Sequence, residues 1–308
     1  MRKEGTTIVE ITADYEKYVP LVDVILSTVG NESDLTRLQG ADFYDIREQK
    51  IAQRMEKQGL AEPEKEFWQR LEARVQKPFV YHYHSGPAAL LRSFQALGFF
   101  ILLLSAVGLS GVYARETADN MNQLLLCSRY GKEELYLIKF AAGLTWILAA
   151  AVIVVLSVLI PFFAVYGMEG AEEMLQLVKP LSMLPYSIGR MLAVYTGIYL
   201  LAAVLFASVT MLLSLAAQNS LAVTCSLMGY LLVDLFAEVP DRFGLLQKIW
   251  SLRPNAVLMN SGFSNYLLFN LGSRFFLNYQ TASVIYIVII LAALFIGRRK
   301  YRRLQVGN

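Results

Sequence analysis

Few residues in this chain are of a type and spacing that could do chemistry. His82 and His84 sit in Tyr81-His82-Tyr83-His84, and a hydrolytic metal centre calls for three or more His, Cys or carboxylate ligands at suitable spacing. Two histidines among tyrosines read instead as an anchor at a membrane interface. Cys127 falls in a polar loop and Cys225 in an apolar run, so no disulfide between them is expected. Gly131-Lys132 has the ending of a phosphate-binding loop, but the earlier glycine is missing and Glu133 follows. No ATP site on this chain is therefore expected. Asn31-Glu32-Ser33 matches a glycosylation acceptor, a frequent chance match that carries no weight. Asp234 is the one acidic residue inside an apolar run. Such acids often serve proton relays. Asp234, however, is about one turn from Glu238, where the insertion cost drops below the ~2.5–3.5 kcal/mol of a helix centre. It reads as an acid snorkelling to the outer surface, which argues against a proton-coupled carrier. No catalytic residue, metal ligand or bound cofactor is expected.

The elements that hold these residues follow from composition. Of 308 residues, 56% are hydrophobic and 17% charged, against about a quarter charged in soluble domains. Residues 1–88 hold 12 Lys/Arg and 15 Asp/Glu, leaving 16 and 10 for the rest. The front is thus polar and mildly acidic, the body apolar and mildly basic. A net charge of +3, scattered along the chain, excludes a nucleic-acid binder. A bilayer core needs roughly 20 apolar residues of helix. Five stretches qualify, at 93–114, 135–165, 191–217, 221–237 and 281–297. They are continuous rather than alternating, so helices are expected and a barrel is not. The fold class expected is all-α, a polytopic helical membrane protein. It comprises an extracytoplasmic, mainly helical region (1–88), a transmembrane domain (89–297) and a basic tail (298–308).

Orientation follows from the basic residues. The tail reads Arg298-Arg299-Lys300-Tyr301-Arg302-Arg303, and the loop after the first span carries Arg115, Arg129 and Lys132. Five alternating spans put both on one side, the cytoplasm by the positive-inside rule. The acidic front then lies outside. Met1-Arg2-Lys3 is followed by no apolar signal segment, so this reading expects a further transmembrane helix upstream of Met1. Within the front, Ile46, Ile51, Met55, Leu60, Phe67, Leu71 and Val75 predict an amphipathic helical pair broken near Gly59 and Pro63. The segment from Val239 to Asn278 is rich in Phe, Leu and Trp, and predicts short interfacial or re-entrant helices, or a loop packed on the spans.

The inner loop, 115–138, is the segment that carries a function. Ala118, Met121, Leu124 and Leu125 form an apolar stripe at helical spacing, with Asp119, Asn120, Asn122 and Gln123 on the other side. That predicts a short helix along the inner membrane face. Ser128 can cap the next helix, with Glu133 and Glu134 in its opening turns. Arg129 and Lys132 are left to meet an acidic partner or lipid headgroups.

A span, then Ala114-Arg115-Glu116, a Leu-rich turn, Ser128-Arg129-Tyr130-Gly131-Lys132-Glu133-Glu134-Leu135, and Lys139 opening the next span resembles the ABC-2-type transporter permeases. The resemblance runs from about residue 80 to the basic tail, and this chain lacks the family's first span. It implies a loop that contacts a nucleotide-binding subunit through Glu116, Met121, Leu124, Leu125, Arg129, Tyr130, Gly131 and Lys132. It further implies a multi-pass exporter subunit in a bacterial cytoplasmic membrane. Its partners would be a cytoplasmic ABC ATPase that binds the ATP, a second permease copy or homologous permease, and membrane lipid. Gly197, Ala202, Ala203, Ala207 and Ser208 in the third span permit close helix packing. The alternative is a membrane-anchored sensor or scaffold with an extracytoplasmic helical domain. An intramembrane enzyme would need polar clusters that the spans do not supply.

Overall fold

The computed structural model describes residues 25, 28, 40–79, 85–119, 121, 134–167, 170–217, 219–237, 239, 244–258, 266–272 and 274–303. Contacts divide the chain into two compact units, Met1–Ala89 with Tyr166–Met191, and Leu90–Val165 with Leu192–Asn308.

The first unit contains the expected amphipathic pair, α1 (Gly40–Lys57) and α2 (Glu62–Glu72). Gly59, at φ 63°, takes the left-handed conformation that ends the first helix cheaply. Pro63 sits in the first turn of α2, where its missing N–H costs nothing, and the Glu64 side chain accepts from Ala61 N at 3.0 Å. Ile51, Met55, Leu60, Trp68 and Val75 form the apolar core. The segment 170–187 belongs to the same unit. It carries a 3₁₀ turn, Leu175–Leu177, and an isolated bridge from Met174 to Ser187. Gln176 is buried and donates to Ser182 O at 3.1 Å and Leu184 O at 2.9 Å.

The second unit is a helix bundle. Four helical stretches are long and apolar enough to cross a membrane: Ala96–Ala118, Glu134–Tyr166, Ile188–Ala216 and Asn278–Arg302. The first is α3 (Ser85–Leu109) followed by α4 (Gly111–Ala118). The others are α5 (Glu134–Tyr166), α6 (Ile188–Ala216) and α10 (Asn278–Arg302). α7 (Ser220–Phe236) is apolar but has only 17 residues. Asn219 caps it, its side chain accepting from Leu221 N at 2.8 Å. α6 is the central helix, with 61% of its apolar window buried, against 17% for α5 and 22% for α10. Ile153, Val165, Val284 and Phe295 are each more than 60% exposed. An apolar surface this continuous suits lipid as its solvent.

The helices pack closely where side chains are small. A methyl at Gly297 of α10 would overlap the Tyr136 hydroxyl of α5, and one at Gly108 would overlap the Trp146 ring. At Gly98 it would come within 2.9 Å of Leu258.

Two expectations need correction. The segment after α7 contains short helices, α8 (Gly244–Trp250) and α9 (Pro254–Leu258), but also an antiparallel hairpin of β1 (Leu268–Leu271) and β2 (Arg274–Leu277). The expected short helices are thus joined by one small hairpin, for which Gly272 at φ 69° supplies the turn, in a chain that is mostly helical. The first span also runs past its expected end at Ala114, so Arg115 and Glu116 belong to α4 and not to a loop.

Candidate functional site

The most structured polar site among the described residues lies where α4 ends and α5 begins, on either side of residues 119–133. It starts from a break in a helix. Around Ser110 the hydrogen-bond ladder of the apolar helix is interrupted, while the residue itself keeps helical dihedrals, φ −59° and ψ −29°. The amides of Tyr113 and Ala114 both donate to Ser214 Oγ of α6, each at 3.0 Å. Ser214 Oγ in turn donates to Ser110 O at 2.6 Å. Thr224 Oγ1 of α7 lies 2.8 Å from Ser110 Oγ. A side chain inserted into a helical ladder is a known cause of a break. In an apolar surrounding, each freed backbone group must find such a partner. One serine therefore ties the broken helix to the central helix, and a threonine ties it to α7.

Beyond the break, Glu116 on α4 pairs with Lys139 on α5, with both side chains about four-fifths buried. The Lys139 ammonium also lies 5.7 Å from the centre of the Tyr113 ring. Tyr113 stacks on Tyr136 at 5.7 Å, and its hydroxyl donates to Tyr136 O at 3.2 Å. Tyr301, near the end of α10, packs on both rings at 6.0 and 5.7 Å. The Tyr136 hydroxyl donates to Leu294 O at 3.3 Å. Both flanks of the 119–133 segment are thus fixed to each other and to α6, α7 and α10.

The expected contact residues distribute unevenly. Glu116 is on α4, and its first carboxylate oxygen is engaged by Lys139. Met121 stands in a turn and is half-exposed, its amide donating to Glu116 O at 3.0 Å. Leu124, Leu125, Arg129, Tyr130, Gly131 and Lys132 lie outside the described residues, as do His82, His84 and Cys127. Sequence reading missed Ser110, Ser214, Thr224 and the three tyrosines. The available signal was hydroxyl residues inside apolar runs and aromatics flanking a polar loop.

A second polar cluster corrects the reading of Asp234. Its side chain is not snorkelling but fully buried, and it is paired with Arg253. Arg253 comes from the turn between α8 and α9, lies 3.6 Å from the Trp250 ring centre, and donates to Trp250 O at 2.8 Å. One turn of distance from Glu238 misled the reading, because a partner arrived from a later segment.

In the first unit, Arg47 is fully buried. It forms a two-pronged pair with Glu72, one prong at 3.1 Å, and donates to Pro180 O at 2.6 Å and Ser182 O at 3.0 Å. Next to this pair is a cleft of about 630 Å³ with Ile51, Met55, Val75 and Met183 in its wall and Glu48, Glu72 and Lys77 at its rim. Burial works against the Lys77 ammonium, but Glu48 and Glu72 outweigh it and hold its pKa above the ordinary lysine value. Lys179 is the opposite case. Burial lowers it to about 8, and no anionic partner for it lies among the described residues.

No protein-family model, curated protein or solved structure matches the chain.

Proposed function

We propose that the chain is a membrane-spanning permease subunit of an ATP-driven exporter, energised by a separate cytoplasmic ATPase that docks on residues 119–133. The observation that carries this reading is the tethering of that segment. Glu116–Lys139 makes its two flanks move together, and the Ser214 hydroxyl passes a displacement of α4 to the most buried helix. Flanks tied in this way pass a push on to the bundle, whereas unconnected helix ends would absorb it.

The proposal includes five crossings. α7 rises about 25 Å at ~1.5 Å per residue, close to the hydrocarbon thickness. Its first turns meet Ser110, while Asp234 near its other end meets Arg253. The turn holding Arg253 leads into α9, whose Leu258 packs on Gly98, twelve residues or roughly 18 Å of helix from Ser110. Tyr301 beside Tyr113 puts the basic tail at the end of the bundle that carries the 119–133 segment. Basic residues gathered at that end favour the cytoplasm. The polar front and the 170–187 segment pack as one unit, as they should if both lie on the outer side.

The charges of the segment supply the test. Reversing Arg129→Glu with Lys132→Glu leaves the spans untouched, so membrane levels should stay normal. Opposed like charges at an interface cost several kcal/mol. ATPase co-purification and transport should both be lost. Full association and transport in this variant would remove the charge-docking assignment. The same reversal at Arg242→Glu with Lys248→Glu should spare ATPase binding and serves as the control.

The cleft of the first unit favours a second reading, a sensor whose polar unit binds a small apolar ligand. In that case the chain would isolate without an ATPase.

A further inference from the structure

We infer that Asp234 and Arg253 form a latch that holds residues Ser251–Leu258 as a plug across the end of the bundle opposite the 119–133 segment. The segment is fastened to three helices. Arg253 pairs with Asp234 and also donates to Asp234 O at 3.3 Å, both on α7. Asn278, at the start of α10, donates to Ser251 O at 3.2 Å, and Tyr286 donates to Leu252 O at 2.8 Å. Leu258 fills the space above Gly98 of α3 so closely that a Cβ there would sit 2.9 Å from it. Val257 and Leu258 are completely buried, although they belong to a five-residue helix that could not hold itself in place.

The ion pair differs from the other fastenings in being poised. Asp234 Oδ2, Asn255 Oδ1 and Asn278 Oδ1 are buried and accept no hydrogen bond from a described residue. A half-satisfied buried network stabilises its closed arrangement less than a complete one would. Charged groups regain their hydration on opening. Removing one partner, by contrast, leaves the other charge buried and unpaired, which favours the open arrangement, so the pair behaves as a latch. The other fastenings named above are apolar or are single hydrogen bonds, which can re-form with water or lipid headgroups. This inference rests on the geometry of the bundle and not on the ATPase partner.

Cysteine reactivity tests it. In the full chain, in lipid discs, with Cys127 and Cys225 replaced by serine, two reporter variants are made. Val257→Cys reports on the plug, and Ala207→Cys, on the buried central helix, reports on the bundle. Each is labelled with a hydrophilic maleimide, alone and combined with Asp234→Asn. Reactivity of a buried thiol follows the open fraction, so the plug reporter should react about tenfold faster or more in the combined variant. The bundle reporter should stay unreactive. Unchanged reactivity at position 257 would overturn the latch. So would a rise at both positions, because the pair would then be a support of the whole fold. If Asp234→Asn does not accumulate, Arg253→Gln applies the same test, since the acid it leaves can take up a proton and stay neutral.

Discussion

Arg47→Met should destabilise the first unit by about 3–5 kcal/mol, the range for removing one partner of a buried ion pair. The guanidinium is fully buried and meets four acceptors at once: both oxygens of Glu72 and the carbonyls of Pro180 and Ser182. Methionine fills much of the volume but satisfies none of them. Glu72 would keep only Lys77, at 3.3 Å, the Pro180 carbonyl would lose its donor, and Ser182 O would keep only Gln176. Against total domain stabilities of ~5–15 kcal/mol, such a loss populates the unfolded unit substantially. Trypsin reads this directly, because Arg54, Arg70 and Arg74 are exposed on or beside α1 and α2 and are protected only while the unit is folded. Cleavage after these residues should be slow in the parent protein and fast in the variant. Arg47→Met with Glu72→Leu removes both charges together and should recover part of the resistance. Equal cleavage of parent and Arg47→Met would mean that the pair does not hold the unit together.

Ser214→Ala should separate ATP hydrolysis from transport. The substitution deletes one hydroxyl and with it three bonds, to Tyr113 N, Ala114 N and Ser110 O. Each unsatisfied buried group costs about 1–3 kcal/mol. The chain has an escape, however. Closing the ladder around Ser110, whose backbone is already helical, would let the two amides return to ordinary helical bonds. The break would heal, and α4 would lose its tie to α6. On the proposed function, the ATPase should still dock and hydrolyse ATP in the presence of this chain, while substrate movement per ATP falls to the background. Ser214→Thr retains a hydroxyl and should restore coupling. Proportional loss of hydrolysis and transport in Ser214→Ala would assign Ser214 to folding alone.

The long helices were legible in the sequence because nothing competes with their signal. Runs such as Phe99–Leu104 and Val152–Leu159 are apolar on every face, and in lipid only a helix satisfies their backbone. The amphipathic pair was legible from Ile51, Met55, Leu60 and Val75 together with Gly59 and Pro63, which act locally, but the reading chose Phe67 where the structure buries Trp68. What could not be read depends on partners far along the chain. Arg47 looked like one more charge on a solvated helix, because its carbonyl acceptors are more than 130 residues away. Asp234 looked peripheral until Arg253 was brought to it by the turn after α8. The break at Ser110 left a trace in the hydroxyls of Ser110, Ser214 and Thr224, each alone among apolar neighbours. Their convergence, however, is a property of three packed helices and not of any one of them.

On the proposed function, a separate ATPase drives this chain through the 119–133 segment. The most direct test is to isolate the chain from its native membrane after mild crosslinking, with an affinity tag on the outer loop, and identify by mass spectrometry what is bound. An ATP-hydrolysing subunit is expected in near-stoichiometric yield, crosslinked to residues 119–133. Isolation of the intact chain in good yield with no such subunit attached would contradict it.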